Sequence, residues 1–184
     1  MLKCYIRRGF MKFNEICVPQ LKYERTMEIM DEGLVLFKIS VVPRTSTYYY
    51  HFCFNDIRKP PLDLAFHPEE GTVGYISYFL QDEMIKNADI MPAIRYKNTG
   101  LLFYDNRFDF DHLYVDIDKQ FNMIKNKRDI WILDEVTRED KLNAYGIGNM
   151  NYLLFNNDDF VGVKMENFNK QEIQELYNIK CLTI

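Results

Sequence analysis

Short apolar segments separated by turn-forming residues constrain this chain more than any other feature of its sequence. Residues 33–42 form a nearly continuous run of apolar and β-branched side chains, which is typical of a strand covered on both faces. Residues 47–54 alternate in the manner of a strand. The side chains expected on one face of that strand are Tyr48, Tyr50, Phe52 and Phe54. The sequence therefore predicts a strand-rich protein.

A hairpin is predicted in the first half of the chain. It joins residues 62–66 to residues 73–80 through a turn that contains Pro68 and Gly71. Proline presets φ and glycine accepts a positive φ, so both residues suit a reversal of the chain. The turn makes an antiparallel pairing of the two segments the expected structure.

A second hairpin is predicted between residues 151–155 and 160–166, around a turn at 156–159. Its return strand alternates, so Lys164 and Glu166 are expected to form a polar outer face. The residues expected on the opposite face are Val161, Val163 and Met165. Shorter strands are predicted at 101–104, 113–117 and 130–133.

Helices are expected to be few. Residues 170–177 are the best candidate, because Asn169 and Glu172 can form a capping box at the start of a helix. The apolar face of that helix would carry Ile173, Leu176 and Tyr177. Weaker candidates are 82–88, 119–127 and 134–143. The predicted fold class is α+β: antiparallel, strand-rich sheets built from hairpins, with a few short helices, in one compact domain over residues 1–184.

The two predicted hairpins resemble each other in sequence. The matching segments are Leu64-Ala65-Phe66 with Leu153-Leu154-Phe155, and Val73-Gly74-Tyr75 with Val161-Gly162-Val163. This spacing suggests an internal duplication with halves at about 11–90 and 91–184, although a hairpin followed by a helix is common enough to match by chance. Two such halves are expected to pack as one body, because neither alone would bury much surface.

Charge and cysteine content bound the partners and the compartment. The chain has 27 acidic and 23 basic residues and a formal net charge of −4. A general nucleic-acid binder needs a cationic surface, so nucleic acid is not an expected partner, nor is an anionic membrane; a protein with a basic surface is favoured. The four cysteines form no C-x-x-C pair, and the first residues lack the apolar core of a secretory leader, so a cytoplasmic location with reduced thiols is expected.

The histidines are expected to be structural. His51 lies on a strand between tyrosines, where a hydrogen-bonded role is the ordinary one. His67 sits beside Pro68 in a turn, so a surface position is expected for it.

An acidic segment is the strongest candidate for chemistry. Asp109, Asp111, Asp116 and Asp118 are the candidate metal ligands, because carboxylate oxygens suit hard cations such as Mg²⁺. With Asp105 and His112 they would form the site of a metal-dependent hydrolase. The ordinary alternative is a polar turn followed by a half-exposed strand. No serine-hydrolase elbow, phosphate-binding loop or dinucleotide motif is present, and no cofactor is expected.

Aromatic residues in the first half suggest a binding surface. The candidate patch consists of Tyr48, Tyr50, Phe52, Ile76 and Tyr78. Either this sheet is central and covered on both sides, or it exposes a patch that contacts a partner. A third possibility is a small-ligand pocket between the halves, lined by Tyr48, Tyr50 and Tyr78.

A weak resemblance points in the same direction. The segment from Tyr152-Leu153-Leu154-Phe155 through Val161-Gly162-Val163, continued by Asn167-Phe168-Asn169 to Leu176, resembles the ends of small uncharacterised bacterial cytosolic proteins. Some of these proteins are immunity partners of secreted toxins. The resemblance implies a non-enzymatic, toxin-neutralising protein and transfers no functional residue. With the absence of catalytic motifs, the mild acidity and the aromatic first half, it makes a protein-binding module the leading hypothesis.

Overall fold

Two β-sheets packed face to face form the body of the protein. The computed structural model describes residues 11–17, 21–56, 59–81, 83–105, 107–134 and 141–182. Within these ranges there are 15 strands and one α-helix. The strand-rich fold predicted from the sequence is therefore confirmed. No helix in the described ranges is long and apolar enough to cross a bilayer.

The first sheet has six strands. In spatial order they are β10 (Tyr114–Asp118), β4 (Tyr50–Asp56), β5 (Lys59–Phe66), β6 (Val73–Gln81), β3 (Leu34–Val41) and β2 (Tyr23–Asp31). All neighbours are antiparallel except β10 and β4, which are parallel. The hairpin predicted around Gly71 is β5–β6, and Gly71 adopts the positive φ of 68° that its turn requires.

The second sheet has seven strands. In spatial order they are β7 (Lys86–Asn87), β11 (Asn122–Asn126), β12 (Asp129–Leu133), β15 (Asp159–Met165), β14 (Asn151–Asn156), β13 (Lys141–Gly148) and β8 (Ala93–Lys97). The second predicted hairpin is β14–β15. The short strands β7 and β8 run parallel to their neighbours.

The same order of strands occurs in both sheets. The series β4-β5-β6-β3-β2 in the first sheet corresponds to β13-β14-β15-β12-β11 in the second. In each sheet a parallel edge strand flanks this series, β10 beside β4 and β8 beside β13. Each hairpin also has a register shift at the same place, between Ala65 and Phe66 and between Leu154 and Phe155.

A single apolar core lies between the sheets. Alternate residues of the first sheet, such as Phe37, Phe52 and Ile76, pack with residues of the second, such as Ile132 and Val163. A two-stranded sheet of β1 (Phe13–Cys17) and β9 (Thr99–Phe103) also contributes to this core. Its phenylalanines contact residues of both larger sheets, with Phe13 ring centroids 5.7 Å from Phe66 and 5.4 Å from Phe155.

The helix α1 (Lys170–Asn178) begins as the sequence predicts. Asn169 accepts a hydrogen bond from the backbone of Glu172, and the Glu172 side chain accepts one from the backbone of Asn169. Leu176 is buried, and Ile173 and Tyr177 pack against the core. The capping box therefore sets the start of the helix, and its apolar face fixes it to the sheets.

The weaker helix predictions are wrong in the residues that the structure describes. Residues 122–126 of the segment 119–127 form β11, and residues 86–87 of the segment 82–88 form β7. Residues 141–143 begin β13, whereas 135–140 lie outside the described residues. The short strand β7 pairs with the distant β11, whereas β11 and β13 form hairpins with the strands that follow them, β12 and β14. This strand pairing overrides a weak helical preference.

Candidate functional site

Two of the sequence-predicted sites meet where β10 runs beside β4. Tyr48 and Tyr50 precede and begin β4, and the loop before β10 carries Asp109 and Phe110. The Tyr48 and Phe110 rings lie 4.9 Å apart, and Tyr50 stacks on Phe108 at 4.8 Å. Burial, together with nearby Tyr48 and Asp109, raises the pKa of Tyr50. The structure thus brings the aromatic and acidic candidates to one edge of the first sheet.

Local hydrogen bonds order the loop before β10. The Asp109 carboxylate accepts hydrogen bonds from the backbone amides of Asp111 and His112 and pairs with His112 Nδ1 at 2.9 Å. These bonds hold the pKa of Asp109 below its ordinary value. Phe110 is nevertheless 76% exposed, and Tyr114 is 64% exposed. We call Tyr48, Tyr50, Asp109, Phe110, Asp111 and Tyr114 the aromatic–acidic surface.

The other members of the predicted aromatic patch do not reach the surface. Phe52 is fully buried, and Ile76 and Tyr78 are each 2% exposed. The second sheet covers them, and Tyr78 donates a hydrogen bond to the backbone carbonyl of Phe121. The predicted patch is therefore corrected to its two outer tyrosines, and Tyr78 lies in the core between the sheets.

The four candidate metal ligands are split between two places. Asp109 and Asp111 lie in the loop, whereas Asp116 and Asp118 alternate with Val115 and Ile117 along β10. Ile117 is buried, so the two strand aspartates project from the opposite, outer face, as predicted. The described residues contain no group of three or more histidines, cysteines and carboxylates able to hold a metal ion. The described residues therefore do not bring the four candidate aspartates together as the site of a metal-dependent hydrolase.

The outer face of the first sheet carries two rows of mainly polar side chains, which the sequence did not single out. Cross-strand partners place Asp116, Cys53, Asp63, Ser77, Lys38 and Thr26 in one row. The adjacent row contains Tyr114, His51, Ala65, Tyr75, Ser40 and Glu24. We call this outer surface the polar face.

A hydrogen-bonded group of three side chains lies on the polar face. His51 Nδ1 is 3.0 Å from Asp63 Oδ1, and the Tyr75 hydroxyl donates to Asp63 Oδ2 at 2.9 Å. Tyr114 stacks on the imidazole at 4.6 Å, and His51 is only 8% exposed. The prediction of a hydrogen-bonded histidine agrees with this geometry.

Cys53 lies between two carboxylates on the same face. Burial, together with Asp63 and Asp116, raises its pKa to about 11. A nucleophilic cysteine needs a lowered pKa, so this environment opposes a thiolate at neutral pH. Among the described residues, Cys53 and Cys181 are free cysteines.

His67 is a correction to the predicted surface position. It is 8% exposed, and its Nδ1 accepts hydrogen bonds from the backbone amides of Glu69 and Glu70. The turn wraps around the ring because these two amides would otherwise lack partners.

A cleft of about 430 Å³ opens beside this group, across β3 and β6. Tyr49 lies against Gly74, where an added Cβ would come within 2.1 Å of the ring. Tyr75 lies between the cleft and the His51–Asp63 pair, because its side chain lines the cleft and its hydroxyl donates a hydrogen bond to Asp63. Sequence patterns contain no direct signal for this cleft, because its walls come from positions spread over three segments.

The second sheet has its own buried charge. Lys164 is 5% exposed, in contrast to its predicted outward position. It donates to Tyr96 and Glu166 and lies 3.2 Å from Asp129. Burial lowers the pKa of Lys164, but these partners more than offset that and raise it. Val161 is a related correction: the register shift in β15 moves it from the inner core to the smaller apolar cluster around Trp131.

Comparison with known proteins gives no relative from which a site can be transferred. No protein-family model matches the chain, and no curated protein matches it.

Proposed function

We propose that this protein is a non-enzymatic protein-binding module that docks a basic partner on its aromatic–acidic surface. The observation that carries the proposal is the exposure of Phe110 and Tyr114 beside Asp109 and Asp111. Aromatic side chains contribute much of the binding energy at protein interfaces, and a rim of charge selects the partner. An exposed phenylalanine held in an ordered loop is well suited to act as such an anchor.

The charge balance around this surface supports a basic partner. Residues 105–118 contain five aspartates and one arginine. That arginine, Arg107, already forms a bidentate pair with Asp105, with the closest atoms 2.6 Å apart. The segment therefore offers a negative field, which speeds the approach of a cationic surface and weakens as salt increases.

The specific form that we favour is an immunity-type role. The second hairpin and α1 resemble the ends of small uncharacterised bacterial cytosolic proteins, some of which are immunity partners of toxins, and this resemblance supports this form. An immunity protein in the cytoplasm would cover the basic active site of a toxin, and a surface that combines acid with aromatic anchors is suited to that task.

The architecture that we propose with this function is a duplicated one, with similar halves at about 11–90 and 91–184. The shared order of five strands and the equivalent register shifts support it. In the paired strands, Ile76 of the first sheet occupies the position that Val163 occupies in the second. The match seen in the sequence instead equates Tyr75 with Val163, one residue away. Within the described residues, only the second half ends in a helix.

Partner capture followed by variants tests the docking surface. The full chain serves as bait in a lysate of its native host at low salt, and each captured protein is then purified for calorimetry. Phe110→Ser is expected to weaken the complex by at least about tenfold, which corresponds to roughly 1.4 kcal/mol. Asp109→Asn with Asp111→Asn is expected to slow association and reduce its dependence on salt.

Met30→Ser is the matched control for the phenylalanine variant. Met30 is 54% exposed and lies on β2, at the opposite edge of the same sheet from β10. Recovery of no partner at low salt would argue against the proposal, and so would equal weakening by both variants. For the immunity role, co-expression is expected to protect cells from the captured toxin, and Phe110→Ser to reduce that protection.

A further inference from the structure

The cleft on the polar face has the chemistry of a binding site separate from the aromatic–acidic surface. Six of its lining residues have charged, hydroxyl or aromatic side chains that could contact a ligand: Lys38, Ser40, Arg44, Tyr49, Tyr75 and Ser77. Its volume of about 430 Å³ falls in the range of small-molecule sites. These lining residues come from β3, β6 and the segment between β3 and β4, so the first sheet itself forms much of the wall of the cleft.

The floor of the cleft is rigid. Tyr49 is 3% exposed and packs flat against Gly74, a position that only glycine leaves open. The Tyr49 and Tyr75 rings meet edge to face at 5.8 Å, and the Arg44 guanidinium lies 5.4 Å from the Tyr49 ring centroid. A preformed floor lowers the entropy that ligand binding must overcome.

Both charged residues of the cleft are cationic. The Lys38 ammonium lies 5.0 Å from the Tyr75 ring centroid, and Arg44 donates only to the backbone carbonyl of Thr47, at 3.4 Å. Neither forms an ion pair with a carboxylate in the described part of the chain, and no carboxylate lines the cleft. Two acids are cross-strand neighbours of the cleft serines. Glu24, opposite Ser40, pairs with Lys22, and Asp63, opposite Ser77, is bound to His51 and Tyr75.

Two hydroxyl groups complete the donor set. Ser40 and Ser77 project into the cleft, and neither side chain makes a hydrogen bond with the described residues. The Tyr75 proton is committed to Asp63, and burial with that carboxylate raises the pKa of Tyr75. The cleft therefore offers two cations and two free hydroxyl donors, a set that oxyanions accept.

We propose that this cleft binds a small molecule through an oxyanion group, either phosphate or carboxylate, held by Lys38, Arg44, Ser40 and Ser77. Tyr49 and Tyr75 would contact the remainder of the molecule. The site lies on the outer face of β3 and β6, so it can bind its ligand whether or not a partner protein occupies the β10 edge of the sheet.

Titration of the full chain followed by amide NMR tests this proposal. The probes are inorganic phosphate and, separately, succinate, each with sodium chloride adjusted to constant ionic strength. At least one probe is expected to give saturable shifts centred on Lys38, Ser40, Tyr75 and Ser77. Binding of phosphate alone or of succinate alone identifies the oxyanion class, and binding of both supports the shared chemistry.

Charge variants separate the cleft from a general effect of net charge. Lys38→Gln with Arg44→Gln is expected to weaken binding by at least about tenfold. The control is Lys22→Gln with Lys170→Gln, which removes the same charge outside the cleft. Ser40→Ala with Ser77→Ala provides a second, uncharged test if the first pair disturbs folding. Absence of saturable shifts with both probes, or equal weakening by the control pair, would overturn the proposal.

Discussion

Lys164 has the most demanding environment of the charged residues described above. Its ammonium is almost fully removed from water and is compensated by Glu166, Asp129 and the Tyr96 hydroxyl. It also lies 4.7 Å from the centroid of the Trp131 ring, whose electron-rich face favours a cation. A buried charge of this kind is tolerated only while all of its partners remain in place.

Removal of this charge is expected to be costly. Lys164→Met should lower the free energy of unfolding by about 2–4 kcal/mol, because Glu166 and Asp129 would be left without their cation while still partly buried. Urea denaturation measures the effect. In the double variant with Glu166→Gln part of the loss should be recovered. Lys22→Met provides the contrast, since its exposed pair with Glu24 should matter by less than about 1 kcal/mol.

Lys164 also shows what sequence reasoning misses at the scale of one residue. Alternation assigns it correctly to the face opposite Val163, but alternation does not say whether that face is exposed. Tyr96, Trp131 and Asp129 lie on other strands and cover it. His67 was misplaced for a different reason: its hydrogen-bond partners are backbone amides of its own turn, which bury the ring although the turn lies between two strands.

The helix α1 is the element whose sequence specifies it most completely. Asn169 and Glu172 satisfy two backbone amides that would otherwise be unpaired at the start of the helix. Both partners lie three positions apart, so the prediction needs no knowledge of the rest of the fold. The same is true of β5–β6 and β14–β15, whose turns lie between the paired strands.

Loss of the cap gives a measurable prediction for this element. Asn169→Ala is expected to destabilise the protein by about 1 kcal/mol, the usual value for an N-cap. Thermal unfolding would detect this as a lower Tm with unchanged strand content. Lys170→Ala, one residue further on and exposed, serves as the control and should leave Tm nearly unchanged. An equal decrease for both variants would mean that the cap adds nothing to stability.

The strands β7, β8 and β11 are the opposite case. They are short, and the parallel pairings β7–β11 and β8–β13 each join segments far apart along the chain. Local pattern carries almost no information about such parallel ladders, because their register is set by the sheet they join. Consequently the segment 82–88 was misassigned as a helix. The segment 119–127 was also misassigned, although β11 forms a hairpin with the next strand, β12, around Lys127 and Arg128.

At the scale of the whole molecule, the two sheets depend on each other. Their inner faces share one core, and the chain between β6 and β11 supplies β10 to the edge of the first sheet and both edge strands, β7 and β8, to the second. The candidate sites arise from the same long-range organisation: the aromatic–acidic surface forms only because β10 joins β4. The sequence identified Tyr48, Tyr50, Asp109 and Asp111 as candidates, but it could not place them together.

This dependence predicts the behaviour of separated halves. Fragments 1–83 and 84–184, expressed alone, are each expected to lack a cooperative thermal transition, because each would expose one side of the shared core. Circular dichroism during heating measures this, with the intact chain as the reference. A sharp transition in either isolated fragment would show that one sheet folds independently of the other.

The strand β8 belongs to the second sheet, whereas β10, which follows it in the chain, belongs to the first. This arrangement also sets the order in which the strands can pair during synthesis on the ribosome. When β6 emerges, the first sheet still lacks its last strand, and that strand is not made until residues 114–118. Residues 93–97 are made earlier, yet they belong beside β13, which does not exist until residues 141–148. During synthesis β8 therefore remains unpaired while the first sheet is completed. The second sheet can be completed only in the last third of synthesis.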